Sequence, residues 1–169
     1  MRKTKVPLRW DFCYTSKMDS KLKLYISTSL TWAEPEYTEK IKTFKDSLKG
    51  EYEVMEFLGL GTGSPQEVYE RDIQECIAGC DLVLAFCDYP SIGLGYELGT
   101  AVEKYSKPVL AVAQIESKVT RLIEGVTHPM YNFARYSDIS EVSNLLTQKV
   151  QKFFPKLEPA ICETDVCAV

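Results

Sequence analysis

Apolar and polar residues follow one another in two periods along this chain, and the changes of period mark its elements. Leu24 and Ile26 alternate with Tyr25 and Ser27, which predicts a strand over Leu22–Ser29. Ile41, Phe44 and Leu48 fall on one stripe of an amphipathic helix over Glu36–Lys49. A second strand follows over Tyr52–Leu58, weakened by Glu53 and Glu56. Ser64-Pro65-Gln66-Glu67 has the form of a helix start, with Ser64 as N-cap, Pro65 at the first position and Glu67 closing a capping box. That helix runs to about Gly79. Leu82-Val83-Leu84-Ala85-Phe86 is a continuous apolar run, the pattern of a strand buried on both faces, within a third strand over 81–87. A helix over 95–105, a strand over Val109–Ala113, a short helix near 117–124 and a strand over Tyr131–Ala134 come next. Val142, Leu145, Leu146, Val150 and Phe153 mark a last helix.

Strands that alternate with helices predict an α/β fold with a parallel sheet covered on both faces. Five strands suit a flavodoxin-like doubly wound order in three layers. Ligands of such sheets bind beyond the carboxyl ends of the strands, at the point where the strand order reverses. The chain divides into a polar N-terminal extension (1–21), one domain (22–155) and a C-terminal tail (156–169).

The 169 residues are enough for one domain with a sizeable core. The net charge of −4 gives no general attraction to nucleic acid or to an anionic membrane, so neither is expected as a partner. No apolar run approaches the roughly 18 residues of a membrane span. Trp10-Asp11-Phe12 follows the basic N-terminus where a secretion signal would need an apolar stretch, so a cytoplasmic location is expected. Cys13, Cys76, Cys80, Cys87, Cys162 and Cys167 form no Cys-x-x-Cys pair, and His128 is the one histidine. Free buried thiols are expected rather than disulfides or a metal site, and no cofactor is called for. Cys167 is one place off a prenylation box, so no lipid anchor is implied.

The richest stretch is Pro90-Ser91-Ile92-Gly93-Leu94-Gly95-Tyr96-Glu97-Leu98-Gly99. It joins a buried strand to a helix through a turn with two glycines, where backbone N–H groups can face an anion. Glu97 is read as lying in the first turn of that helix, where the dipole would favour the ionised carboxylate. A charged carboxylate beside an anion-binding turn suits attack on a sugar carbon with a phosphate held nearby.

Asp81-Leu-Val-Leu-Ala-Phe followed by Pro-Ser-x-Gly-x-Gly-Tyr-Glu-Leu-Gly resembles the nucleoside 2-deoxyribosyltransferase superfamily, and within it the 2'-deoxynucleoside 5'-phosphate N-hydrolase branch. The resemblance is strongest over Asp81–Pro108 and weaker from Leu24 to about Phe154. It implies the same flavodoxin-like fold, with Glu97 as the nucleophile that takes the sugar from the base. Tyr25 matches the tyrosine that hydrogen-bonds this nucleophile. Asp72 corresponds to the catalytic aspartate, although the spacing from it to Asp81 departs by one residue from the family's. In an unbroken α-helix that offset puts Ile73 in the slot and turns Asp72 away by about 100°. A one-residue bulge restores it. Ser91, Gly93 and Gly95 match the turn that holds a 5'-phosphate. Thr120 corresponds to a serine given by a neighbouring subunit, so a homodimer is implied.

The chain also departs from that pattern. Ser27-Thr28-Ser29-Leu30-Thr31-Trp32 stands where the nucleotide hydrolases carry a glycine- and arginine-bearing phosphate loop, so Ser27 and Ser29 would serve as hydroxyl donors and Trp32 would cover a base. Phe57 stands where they carry a histidine. Gly59-x-Gly61-x-Gly63 follows the second strand rather than the first and reads as a loop over the site, not a dinucleotide fingerprint. The expected activity is hydrolysis of the base–sugar bond of nucleoside 5'-monophosphates or nucleosides. The alternatives are base exchange by a deoxyribosyltransferase, or a non-catalytic nucleotide-binding module of the same fold.

Overall fold

A computed structural model describes residues 21–59 and 61–155. The expected extension (apart from Lys21), the tail from 156, Leu60 and the cysteines at 13, 162 and 167 lie outside these residues. Five strands, β1 (Lys23–Thr28), β2 (Glu53–Met55), β3 (Leu82–Phe86), β4 (Val109–Gln114) and β5 (Tyr131–Tyr136), form one sheet in the order β2-β1-β3-β4-β5. Every pairing is parallel. This is the flavodoxin-like order, with the reversal between β1 and β3.

The period of two along each strand sorts side chains to opposite faces. Leu24 and Ile26 of β1, with Leu84 and Phe86 of β3, join one apolar cluster with α1 (Pro35–Leu48) and α5 (Ile139–Phe153). Phe86 packs edge-on against Phe44 of α1 (centroids 5.6 Å) and against Tyr136 (6.2 Å). Tyr25, Val83, Ala85 and Ala111 point the other way, towards α2 (Pro65–Tyr69) and α3 (Ile92–Gly99) and the segments that continue them. Alanines on this face let those helices approach the sheet closely, near the switch point.

Both helices change character midway. α2 runs without a break into a π-helical stretch, Glu70–Ile77, and α3 into another, Thr100–Lys104. The bond from the Tyr105 amide to the Thr100 carbonyl (3.2 Å) spans five residues and closes the second stretch. The capping box at Ser64 forms as the sequence predicts: Ser64 Oγ accepts from the Glu67 amide at 3.3 Å, and Glu67 accepts from the Ser64 amide at 2.7 Å. β2 is shorter than expected. It pairs with β1 only as far as Met55, after which the Glu56 carboxylate turns to Lys45 (2.6 Å) and the Leu58 amide to Asp72. Gly61 and Gly63 in the following loop both take φ of 76°, a conformation glycine adopts without strain.

Candidate active site

α3 begins at Ile92, three residues earlier than the pattern suggests, because Ser91 caps it: Ser91 Oγ accepts from the Leu94 amide at 3.2 Å. Glu97 therefore sits in the second turn, beyond the reach of the terminal dipole. Its charge state is set otherwise than expected. Burial raises its pKa to about 7, and the negative charge of Asp72 adds to the rise, while hydrogen bonds from Ser27 and Tyr25 oppose it.

Those two hydroxyls come from one face of β1, two residues apart. Tyr25 Oη donates to Glu97 Oε2 at 3.3 Å, and Ser27 Oγ donates to the same oxygen. Both residues are fully enclosed, Tyr25 at 1% and Ser27 at 2% exposure. The Tyr25 pKa is driven well above its ordinary value by burial and by the Glu97 and Asp72 carboxylates, so its phenol stays a donor.

Asp72 is buried and reaches the same centre. An ordinary α-helix would turn it away; it lies instead inside the π-helical stretch Glu70–Ile77, whose extra residue per turn changes the phase. Asp72 Oδ1 accepts from the Leu58 amide at 3.1 Å and so anchors the chain leaving β2. Burial raises its pKa, and that amide bond and the Arg71 charge partly offset the rise. Cys76, one turn further on, feels both carboxylates, and burial pushes its thiol up to about 11. Cys76, Cys80 and Cys87 are all free and buried.

A cavity of about 690 Å³ lies against the start of α3. Ser91, Gly93 and Gly95 form one wall, and Thr120, Lys118 and Trp32 stand in others. Glu97, Tyr25 and Asp72 are not among its walls. Glu97 projects from the adjoining stripe of α3, about 100° round from Leu98, which does line it. Thr120 caps α4 (Arg121–Glu124) by accepting from the Leu122 amide at 3.4 Å, and it faces the cavity of its own chain. Ser91 and Thr120 thus use their oxygens as caps and keep their hydroxyl protons for donation. Ser29 is placed differently: it is buried, and its hydroxyl donates to the Pro90 carbonyl at 3.3 Å. Phe57 packs against the apolar cluster that includes Tyr25, with the Lys45 ammonium 4.6 Å from its ring centre.

Sequence reasoning passed over Asp88. This buried carboxylate follows β3 and accepts from Tyr37 Oη (2.8 Å), Tyr136 Oη (3.0 Å), the Gln114 amide (2.8 Å) and Ser117 Oγ (3.2 Å). It ties α1, β4 and β5 together at the carboxyl edge of the sheet. An acidic residue directly after a wholly apolar strand was the available signal, since such a group stays buried only when it is hydrogen-bonded.

No family model matches the chain. Over 80 residues, 46% of its length, it is 36% identical to the putative 2'-deoxynucleoside 5'-phosphate N-hydrolase 1 of Thermofilum pendens. The match takes in 54% of that protein, so the chain spans about half the length of the curated relative. The resemblance carried by the Asp81–Pro108 motifs is borne out by this relative. The chain also superposes on the structure of the CMP N-glycosidase BcmB of Clostridium botulinum with a TM-score of 0.53 and 22% identity, covering 74% of this chain and 98% of that one. The two share their fold.

Proposed function

We propose that the protein is an N-glycosidase that hydrolyses the base–sugar bond of nucleoside 5'-monophosphates through a covalent glycosyl–Glu97 intermediate. The observation that carries this reading is the meeting of Tyr25, Ser27 and Asp72 at Glu97, on the helix whose first turn borders the cavity. In the first half-reaction a Glu97 oxygen bonds to the anomeric carbon as its bond to the base nitrogen breaks. The electron pair leaves on the base, which takes a proton from Asp72. In the second, Asp72 removes a proton from water as the water oxygen displaces Glu97.

The negative charge of Asp72 raises the pKa of Glu97, so the charge states of the two carboxylates are linked. The reactive form holds a single proton, placed on Asp72 at the moment of attack. At rest the proton sits on Glu97, whose pKa burial raises to about 7, and its loss gives the alkaline limb of the rate profile. No helix among the described residues is long and apolar enough to cross a membrane. A nucleotide substrate also fits the name of the curated relative.

The cavity supports the 5'-phosphate. Ser91 and Thr120 offer hydroxyl protons, Gly93 and Gly95 leave the start of α3 open, and Lys118 contributes a positive charge. Charge-assisted bonds to phosphate are worth about 1.5–3 kcal/mol each. Two of them give a monophosphate at least roughly 10²-fold over its nucleoside in kcat/KM. Ser91→Ala is expected to erode that preference and to leave slow nucleoside cleavage nearly unchanged, as chromatography of released base would show. Equal rates on both substrates, or base exchange outrunning hydrolysis when a second base is added, would move the assignment to the transferases.

The resemblance further implies a homodimer. Trp32, Ile92 and Leu122 at the cavity rim are 71%, 95% and 78% exposed, an apolar rim for a second copy to cover. Light scattering on the active protein is expected to give twice the chain mass. A fully active monomer overturns the assembly and leaves the chemistry standing.

A further inference from the structure

Glu97 offers two oxygens, and the structure treats them differently. Oε2 receives both hydroxyls of β1, whereas Oε1 accepts no hydrogen bond among the described residues. We propose that Ser27 is a positioning residue: with Tyr25 it fixes Oε2, so that Oε1 is the atom that bonds to the sugar. This rests on Glu97 being the nucleophile. Ser27 is suited to the role by its place in the sheet. It lies two residues after Tyr25, on the same face of β1, and pairs with Ala85 of β3. Buried at the strand end, it has no freedom to follow a moving substrate. A hydroxyl in this place also favours the ionised carboxylate, because a donor hydrogen bond strengthens when its acceptor is charged.

The groups that face Glu97 are few. β1 presents Tyr25 and Ser27, and the π-helical stretch after α2 presents Asp72 and Cys76, the latter a neutral thiol at ordinary pH. Glu103 and Lys104 of the stretch after α3 are exposed, with Lys104 lying over the Tyr105 ring (4.8 Å). Of the two hydroxyls, Tyr25 Oη carries a second duty as core packing, whereas Ser27→Ala removes one oxygen and little else.

The test is the titration of the Glu97 carboxyl carbon by NMR in protein labelled at glutamate, assigned by its loss in Glu97→Gln. Ser27→Ala is expected to raise the midpoint by about one pH unit, the equivalent of one hydrogen bond to a charged group. The limb of the rate profile near pH 7 moves up with it. Turnover on a nucleoside 5'-monophosphate falls about tenfold, with KM unchanged. Ser27→Thr keeps the hydroxyl and restores both midpoint and rate. An unmoved midpoint in folded Ser27→Ala overturns the contact, and a moved midpoint with an unmoved rate profile overturns the positioning role. Failure of the underlying reading looks different: Glu97→Gln itself then turns over normally.

Discussion

Glu97→Gln is expected to lower kcat for base release by about 10⁵-fold, the scale on which removing a covalent nucleophile acts. The amide has nearly the shape of the carboxylate and still offers a carbonyl oxygen to Tyr25 and Ser27, so the site should keep its form while losing the anion that bonds to carbon. Release of free base measured by chromatography checks this; activity within tenfold of wild type would end the covalent mechanism. The same variant carries a stability signature. Glu97 has a folded pKa of about 7 against an ordinary 4.5, so the folded state holds its proton more tightly than the unfolded chain does. Wild-type stability therefore falls as pH rises from about 4.5 through 7, and the loss is complete above that window. A neutral glutamine has no such term. Urea unfolding at pH 8 should find Glu97→Gln more stable than wild type, by up to about 3 kcal/mol for that shift, with the advantage gone near pH 4.5.

Asp72→Asn is expected to cost 10²- to 10⁴-fold in kcat, the usual range for removal of a general acid–base group. Asparagine keeps an oxygen for the Leu58 amide, so the loop after β2 should stay anchored and the fold intact. Three readouts separate lost chemistry from lost structure. The negative charge of Asp72 helps hold Glu97 at about 7, so the variant's Glu97 titrates lower. The alkaline limb also disappears, because no shared proton remains to be lost. In addition, a nucleotide whose base already carries a positive charge leaves without an acid, and its cleavage should suffer far less than that of an ordinary nucleotide. Normal turnover by Asp72→Asn, with the alkaline limb in place, would reduce Asp72 to an anchor for Leu58.

The sheet was legible because its signals are local. Each strand declares itself by period or by an apolar run, the first and last helices by a stripe, and α2 by the cap at Ser64, whose partner lies three residues on. Alternation of the two kinds of element then leaves a parallel sheet as the arrangement that buries both sets of faces. The start of α3 was placed late because Ile92, Gly93 and Gly95 are poor helix formers. The cap at Ser91 and the burial of Leu94 and Leu98 outweigh them.

For the candidate site, the sequence by itself determined which residues to watch: Glu97 after its glycine turn, Tyr25 within β1, and Asp72 at a spacing one residue out of step. Only the tertiary structure decided how they meet. Whether α2 continues as a regular helix or widens into a π-helical stretch depends on how it packs over β1 and β3, and that packing turns Asp72 inward. The charge of Glu97 was misread for the same reason. A helix dipole can be inferred from neighbours in sequence, but burial and the field of Asp72 come from residues brought together by the fold, and here they prevail. Ser27 looked like a phosphate donor in a degenerate loop, and folding gave its hydroxyl to a carboxylate seventy residues away.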